Sequence, residues 1–207
     1  NYYQSPSSLY TSMISKVVDY PIKAVLWYQA EANANYWQNY KTIFKGLIKD
    51  WRTKLNEPSL PWLFVQLPSY DPSGDATKMT WAETRDIQLQ VWKEDAFTGM
   101  TVAIDLGEAT NIHPTDKYTV AKRMLPYVKS LVYGEQVTHK SPIYKSHNIQ
   151  GADMYISFEN IGSGLKAVKE ITEFEIAGSD KVYRNATATL LADNTIKLSN
   201  ILVPNPV

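Results

Sequence analysis

The sequence predicts an α/β protein with a parallel β-sheet, followed by a small antiparallel β-module. Three short apolar segments alternate with three amphipathic segments between residues 22 and 133, an order typical of right-handed βαβ units. After Gly134 the pattern changes to short β-rich segments separated by Gly, Asn and Asp. The change falls near 138–145, and we expect one domain over 1–138 and a second over 139–207.

Each element of the first domain follows from local patterning. Apolar side chains recur at helical spacing from Tyr36 to Trp51, and one Gly inside that stripe does not outweigh it. Thr115 is the expected N-cap of the third helix, and Pro126 is expected to kink it. We expect strands over 22–28, 62–67 and 100–104, helices over 36–55, 79–95 and 116–133, and β-module strands over 152–158, 173–177, 186–191 and 195–199.

Composition excludes several classes of function. Lys and Arg total 21, as do Asp and Glu, so the chain lacks the basic surplus of a nucleic-acid binder. No apolar run approaches the ~18 residues that would span a membrane. The absence of Cys excludes disulfides and thiolate metal sites. Six Trp and 14 Tyr suit either a large aromatic core or a surface that packs against sugar rings.

Polar segments follow each predicted strand, at 29–35, 66–74 and 105–114. In an open parallel sheet, ligands bind beyond the carboxyl ends of the strands. The third segment holds His113, whose side chain titrates near neutrality and suits proton transfer. The two other histidines, His139 and His147, lie at or beyond the domain boundary and are poorer candidates.

Each candidate has a structural alternative. His113 either transfers protons or simply caps the helix that follows. Gln29 and Glu31 either face a reaction cleft, with Gln29 donating to a developing oxyanion, or only tie loops together. Asp105, Glu108, Glu31 and His113 have suitable chemistry for metal binding, but they lack the spacing of a known metal site. No phosphate-binding loop is present, so we predict neither a metal nor a cofactor.

Several motifs resemble one family. The segment K-A-V-L-W-Y-Q-A-E-A-N, at 23–33, is similar to the G-V-I-W-Y-Q-G-E-S-N segment of sialate O-acetylesterase-like proteins, members of the SGNH/GDSL hydrolases. Further similar positions occur in order along nearly the whole chain: Leu47–Arg52, Phe64–Leu67, Trp81 with Arg85 and Gln88, Ile104–Gly107, Ile112–Pro114 and Phe174–Gly178.

This resemblance implies a three-layer α/β/α, flavodoxin-like sheet that is incomplete at its N-terminus here. It implies a Ser–His pair, usually with a carboxylate, in which His113 is the general base. Gln29 would be an oxyanion donor and Glu31 an organiser of its loop. The resemblance also suggests oxyanion or substrate-binding positions at Asn33, Asn111 and Arg85.

The sequence departs from the family pattern in three places. The family's nucleophilic Ser precedes everything present here, and Ser163, the nearest similar Ser, falls in the β-module. Asn111 and Thr110 stand where the family commonly has an Asp, so Glu108, Asp105 or a backbone carbonyl would have to orient the imidazole of His113. Ala30 replaces a Gly.

These departures leave three functions open. The first is removal of O-acetyl groups from sialic acid or another glycan by an exported enzyme, with the nucleophile on an N-terminal segment or a chain outside these residues. The second is a non-catalytic carbohydrate-binding protein. The third is an accessory domain in which the β-module carries the function.

Overall fold

The computed structural model describes residues 5, 7–71 and 79–207. The chain divides into two compact units, Asn1–His139 and Lys140–Val207. The first holds a parallel sheet with helices and the second holds antiparallel strands, which confirms the predicted fold class. No helix within the described ranges combines the length and apolar character that crossing a bilayer requires.

The strands of the first unit are β1 (Val25–Trp27), β2 (Trp62–Val65) and β3 (Thr98–Thr101), and its helices are α1 (Ser8–Ser12), α2 (Trp37–Lys54), α3 (Met79–Glu94) and α4 (Lys117–Tyr127). The strands form a sheet in the order β1-β2-β3, with both neighbouring pairs parallel. Short 3₁₀ turns occur at Ile14–Lys16, Glu31–Tyr36 and Ile104–Leu106.

Helices cover both faces of the central strand β2, whose four residues are at most 1% exposed. On one face, Phe64 packs edge-on against Phe44 of α2, with ring centroids 5.1 Å apart. On the other face, Leu63 and Val65 join a core cluster with Tyr127 of α4. Burial on both faces explains why β2 reads as an uninterrupted apolar run rather than an alternating one.

Several sequence-based boundaries were wrong, and the second strand ends at Val65 rather than at residue 67. The third strand is Thr98–Thr101 rather than 100–104, because the chain turns into a 3₁₀ helix at Ile104. The N-cap of α4 is Asp116, whose side chain accepts a 2.9 Å bond from the Thr119 N–H, and not Thr115. The first strand covers only Val25–Trp27 of the predicted 22–28.

Pro126 lies in the last turn of α4. The helix ends one residue later, at Tyr127, and continues as a π-helical turn over Val128–Val132. Because Pro has no N–H to donate, the regular hydrogen-bond ladder is interrupted at this position, and the wider turn follows directly.

The strands of the second unit are β4 (Ile143–Gln150), β5 (Asp153–Glu159), β6 (Glu175–Ile176), β7 (Arg184–Asn185), β8 (Thr187–Leu190) and β9 (Ile196–Ser199). They form a four-stranded antiparallel sheet in the order β4-β5-β9-β8 and a small β6-β7 pair. The hydrophobic core cluster of this unit is centred on the buried residues Ile176, Ile196, Leu198 and Val203. Sequence patterning missed β4 and β7. Seven of the eight β4 residues are exposed and show no alternation to detect.

A test of this packing compares two glycines. A Cβ at Gly99 of β3 would lie 2.5 Å from Cδ1 of Tyr127 and 2.8 Å from Cδ2 of Leu63. We therefore expect Gly99→Ala to lower the free energy of unfolding by about 1–3 kcal/mol in urea denaturation. Gly46→Ala, in the middle of α2 with nothing within 4 Å, should instead raise it by about 0.5–1 kcal/mol. Equal effects of the two changes would contradict this account of the α4–sheet contact.

Candidate active site

The segments that leave the three parallel strands meet around one cavity of about 500 Å³. The second predicted segment contributes Tyr70, while its residues 72–74 lie outside the described residues. The start of α3 closes another part of the wall. The lining residues are Gln29, Glu31, Ala32, Asn35, Tyr70, Thr80, Trp81, Ile112 and His113.

The His113 loop is held by a chain of side-chain hydrogen bonds. The backbone N–H of His113 donates to Oδ1 of Asn111 at 3.0 Å, and Nδ2 of Asn111 donates to Oε2 of Glu108 at 3.1 Å. Pro114 is buried, whereas the His113 side chain is exposed. The loop backbone is thereby fixed while the imidazole stays accessible from the cavity.

Glu108 holds both ends of this loop. Its Oε1 accepts bonds from the N–H of Thr115, at 2.7 Å, and from the Thr115 hydroxyl, at 2.9 Å. These bonds, with the weaker one from Asn111, keep the pKa of the Glu108 carboxyl below its ordinary value. The carboxylate thus connects the exit of β3 to the start of α4, on either side of His113.

Asp105 has a different partner. Its two carboxylate oxygens accept bonds from the two terminal nitrogens of Arg123, each at 2.6 Å. Arg123 also donates to the carbonyl of Val102, so this ion pair fixes the β3 exit against α4. The imidazole of His113 has no hydrogen-bond partner among the described residues. Glu108 and Asp105, the two carboxylates considered as orienting groups for this imidazole, form their hydrogen bonds with other residues.

The Gln29 side chain is oriented by its own loop. Its Nε2 donates to Oδ1 of Asn33 at 2.7 Å, and no other described residue accepts a hydrogen from the carboxamide. Oε2 of Glu31 accepts the backbone N–H of Ala30 at 2.9 Å. Asn33 and Glu31 therefore hold the loop conformation, and the second N–H of Gln29 has no acceptor in the described part of the chain. An N–H of this kind can stabilise an oxyanion.

A cation–π contact joins this first loop to the third. Nζ of Lys117, the first residue of α4, lies 4.5 Å from the ring centroid of Tyr28, which directly precedes Gln29. Burial raises the pKa of the Tyr28 hydroxyl, and the charge of Glu31 adds to this effect. The contact links the segments that carry Gln29 and His113.

The segment bearing Tyr70 is attached to the third loop. The N–H and hydroxyl of Ser69 both donate to the carbonyl of Ile104, at 3.2 and 2.7 Å, and the N–H of Asp71 donates to the carbonyl of Ala109. A Cβ at Gly107 would overlap Ser69, so this close approach requires glycine. The three exit segments thus form one connected structure.

The structure brings together three of the residues predicted for the site: Gln29, Glu31 and His113. Asn33 and Asn111 do not line the cavity but hold residues that do. Arg85 is not among the described lining residues, and its burial lowers the pKa of its guanidinium. Sequence analysis placed Asn35 and Tyr70 within the predicted strand-exit segments without singling them out, although the aromatic ring of Tyr70 was a usable signal. It missed Thr80 and Trp81 at the start of α3 as lining residues.

Metal binding receives no support from the described part of the chain. Within it, no group of three or more His, Cys, Asp or Glu side chains is placed to hold a metal ion. Glu31, Asp105 and Glu108 each accept hydrogen bonds from protein groups. The lining side chains His113, Gln29 and Asn35 include groups for proton transfer and hydrogen bonding.

The role of Glu108 is testable through acid stability. Folding lowers the pKa of the Glu108 carboxyl, so this group stabilises the native state at pH values above 4.5, the ordinary pKa of Glu. The stabilisation is lost as the pH falls through the lower pKa of the folded state. Glu108→Gln should lower stability at pH 7 and reduce the loss of stability between pH 5 and pH 3, measured by urea unfolding. Glu57→Gln is the control, because the described residues give the exposed Glu57 carboxylate no hydrogen bond. The same acid profile in wild type and Glu108→Gln would contradict the role.

Comparison with known proteins identifies the family of the chain. Residues 1–124 match the family described as carbohydrate esterase, sialic acid-specific acetylesterase. Sialate O-acetylesterases of Mus musculus and Homo sapiens are each 34% identical over about two thirds of this chain, which spans 29% of their length. A carbohydrate acetylesterase from Xanthomonas citri matches 99% of this chain and 48% of its own, at 32% identity and a TM-score of 0.88. The chain belongs to the sialate O-acetylesterase-like carbohydrate esterase family of SGNH hydrolases.

Proposed function

We propose that this chain supplies the general base and an oxyanion donor of a carbohydrate O-acetylesterase that works through a serine nucleophile. The single observation that carries the proposal is that His113 and Gln29 line the same cavity. His113 is exposed there, and one N–H of the Gln29 carboxamide has no acceptor among the residues that the structure describes. Membership of the family supports the same chemistry, with an acetylated glycan such as acetylated sialic acid as substrate.

The mechanism has two halves. His113 takes the proton of the serine hydroxyl as the serine oxygen attacks the acetyl carbonyl carbon, and the Gln29 N–H donates to the resulting oxyanion. The bond from the acetyl carbon to the sugar oxygen breaks, and the imidazolium returns the proton to that oxygen. A water molecule then attacks the acyl-enzyme, with His113 taking its proton, and acetate leaves as the serine regains a proton.

We place the nucleophile on a segment outside these 207 residues. No serine among the described residues lines the cavity. Within the described chain, β1 pairs only with β2, and its middle residue Leu26 is 62% exposed. An added strand at this edge would end beside Gln29, because parallel strands end at the same edge of a sheet. The chain's partial coverage of its relatives is compatible with such a segment.

The remaining assignments rest on the family for the compartment and the substrate, and on patterning and charge for the domains and the excluded partners. We assign residues 1–138 to the esterase domain and 139–207 to a β-rich accessory module. We place the protein outside the cytoplasm, in the periplasm, a lysosome or the secreted fraction. We propose an acetylated glycan as its binding partner, with no role for nucleic acid or a membrane surface.

Two observations favour a second function. Among the described residues, nothing hydrogen-bonds to the His113 imidazole, and Asn111 stands where the family commonly has Asp. A non-catalytic carbohydrate-binding protein would need neither a hydrogen bond that orients this imidazole nor an Asp at that position. The sequence preceding Asn1 separates the two functions, since a serine in a Gly-x-Ser context there belongs to an enzyme.

The location of the nucleophile leads to a first prediction. The 207 residues alone should not hydrolyse a chromogenic acetyl ester, whereas a version extended at its N-terminus should, because only the extended protein carries the serine. Circular dichroism of both proteins controls for folding. Strong hydrolysis by the short chain would place the nucleophile within it.

The general-base role leads to a second prediction. In the extended protein, His113→Ala should lower kcat by about 10²–10⁴-fold, since general-base catalysis is worth that much. His147→Ala is a matched control, because His147 lies in β4 and its ring bonds to Tyr144. Steady-state kinetics on the same ester is the measurement. A loss of less than about tenfold for His113→Ala would remove the role.

A further inference from the structure

We propose that Tyr40 of α2 is a positioning residue for the reaction: its buried hydroxyl fixes the peptide unit that carries Gln29 and ties it, through Gln88 of α3, to the exit of β2. The inference rests on the proposed function, in which Gln29 is the oxyanion donor, and it adds residues that act through Gln29. Neither Tyr40 nor Gln88 is among the described residues that line the cavity. Both are buried polar side chains of the core.

The peptide unit between Gln29 and Ala30 is held on both sides. Its carbonyl, that of Gln29, accepts a hydrogen bond from the Tyr40 hydroxyl at 3.4 Å. Its N–H, that of Ala30, donates to Oε2 of Glu31 at 2.9 Å. The carbonyl of the buried Ala30 then accepts two N–H groups of the 3₁₀ turn that follows. These bonds fix the backbone from which the Gln29 side chain extends.

The Tyr40 side chain is fixed by packing and keeps its proton. It is 2% exposed, and its ring stacks on Phe44 with centroids 5.4 Å apart and planes 11° apart. Burial raises the pKa of the Tyr40 hydroxyl well above its ordinary value. A hydrogen bond from Gln88 partly offsets this rise in the pKa, and the charge of Glu31 adds to it. The hydroxyl is therefore a neutral donor at any pH at which the enzyme works.

Gln88 links Tyr40 to the exit of β2. Its carboxamide is fully buried, and its Oε1 accepts the N–H of Leu67 at 2.9 Å while its Nε2 donates to the carbonyl of Val65 at 3.2 Å. Because a hydroxyl carries one proton, the Tyr40 oxygen that donates to Gln29 accepts its bond from Gln88. A chain of hydrogen bonds therefore runs from the end of β2, through α3 and α2, to the Gln29 peptide.

Fixing this peptide matters because an oxyanion donor acts only when it is already in place. Its benefit depends on a hydrogen bond to the transition state that needs no rearrangement at the moment of reaction. Loss of the Tyr40 hydroxyl would free one side of the Gln29 peptide and leave the carboxamide itself intact. The ground-state complex would change little, so the effect should fall on kcat rather than on KM.

A double-mutant cycle of Tyr40→Phe and Gln29→Ala in the N-terminally extended protein tests the inference, with steady-state kinetics on the chromogenic acetyl ester. Gln29→Ala should lower kcat by about 10²-fold, as the loss of an oxyanion donor does. Tyr40→Phe keeps the buried ring and removes only the hydroxyl, so it should lower kcat by about tenfold and change KM by less than about twofold. In the Gln29→Ala background, Tyr40→Phe should change kcat by less than about twofold, because the group that it positions is gone.

Tyr127→Phe is the matched control, because Tyr127 is also 2% exposed but packs on the opposite face of β2. It should leave kcat unchanged in either background, and urea unfolding checks that both Phe variants remain folded. Multiplicative losses in the double variant, an equal loss for Tyr127→Phe, or no effect of Tyr40→Phe would overturn the inference while the proposed function stands. No loss of kcat in Gln29→Ala, or no hydrolysis by the extended protein, would remove the proposed function and the inference with it, so the two failures are distinguishable.

Discussion

Parallel alignment of β1, β2 and β3 is the constraint on which the rest of this site depends. Three strands running in one direction end at one edge of the sheet, so the segments that follow them must meet there. The carboxamide of Gln29, the ring of Tyr70 and the imidazole of His113 come from positions far apart in the chain. They reach one cavity because the sheet delivers them to it.

The charged groups around the cavity mainly hold its loops in place. Glu108 connects the two ends of the His113 loop, Asp105 binds Arg123 on α4, and Lys117 contacts Tyr28. These interactions fix the backbone that presents His113, yet the described residues provide no hydrogen bond to its imidazole. In the proposed mechanism, orientation of the base therefore comes from the loop backbone, and a further partner comes from the substrate or the segment bearing the nucleophile.

Much of the fold was predictable because its signals are local. The apolar run of β2 and the helical stripe of α2 each reflect burial against a neighbouring layer, which periodicity reports directly. The strand β4 was missed because an exposed strand has no alternation. The end of β3 was misplaced because an apolar sequence continues past Thr101 into a 3₁₀ turn.

The site was only partly predictable for a different reason. His113, Gln29 and Glu31 stand at strand exits, and this position together with the family resemblance made them candidates without coordinates. Whether a carboxylate bonds to the imidazole or to a loop amide depends on distances of a few ångströms, which spacing in the chain does not encode. For the same reason, Glu108 and Asp105 could be chosen as candidates from the sequence, but their actual partners, Thr115 and Arg123, could not.

The most direct test of the central claim is a crystal structure of the N-terminally extended protein after reaction with a serine-directed phosphonate, whose tetrahedral phosphorus imitates the reacting acetyl carbon. The account predicts phosphorus bonded to a serine in this cavity, its phosphoryl oxygen within hydrogen-bond distance of Nε2 of Gln29, and the His113 imidazole facing the serine oxygen. A phosphonylated serine elsewhere, or an imidazole turned away from it, would contradict the claim that His113 and Gln29 share one reaction site.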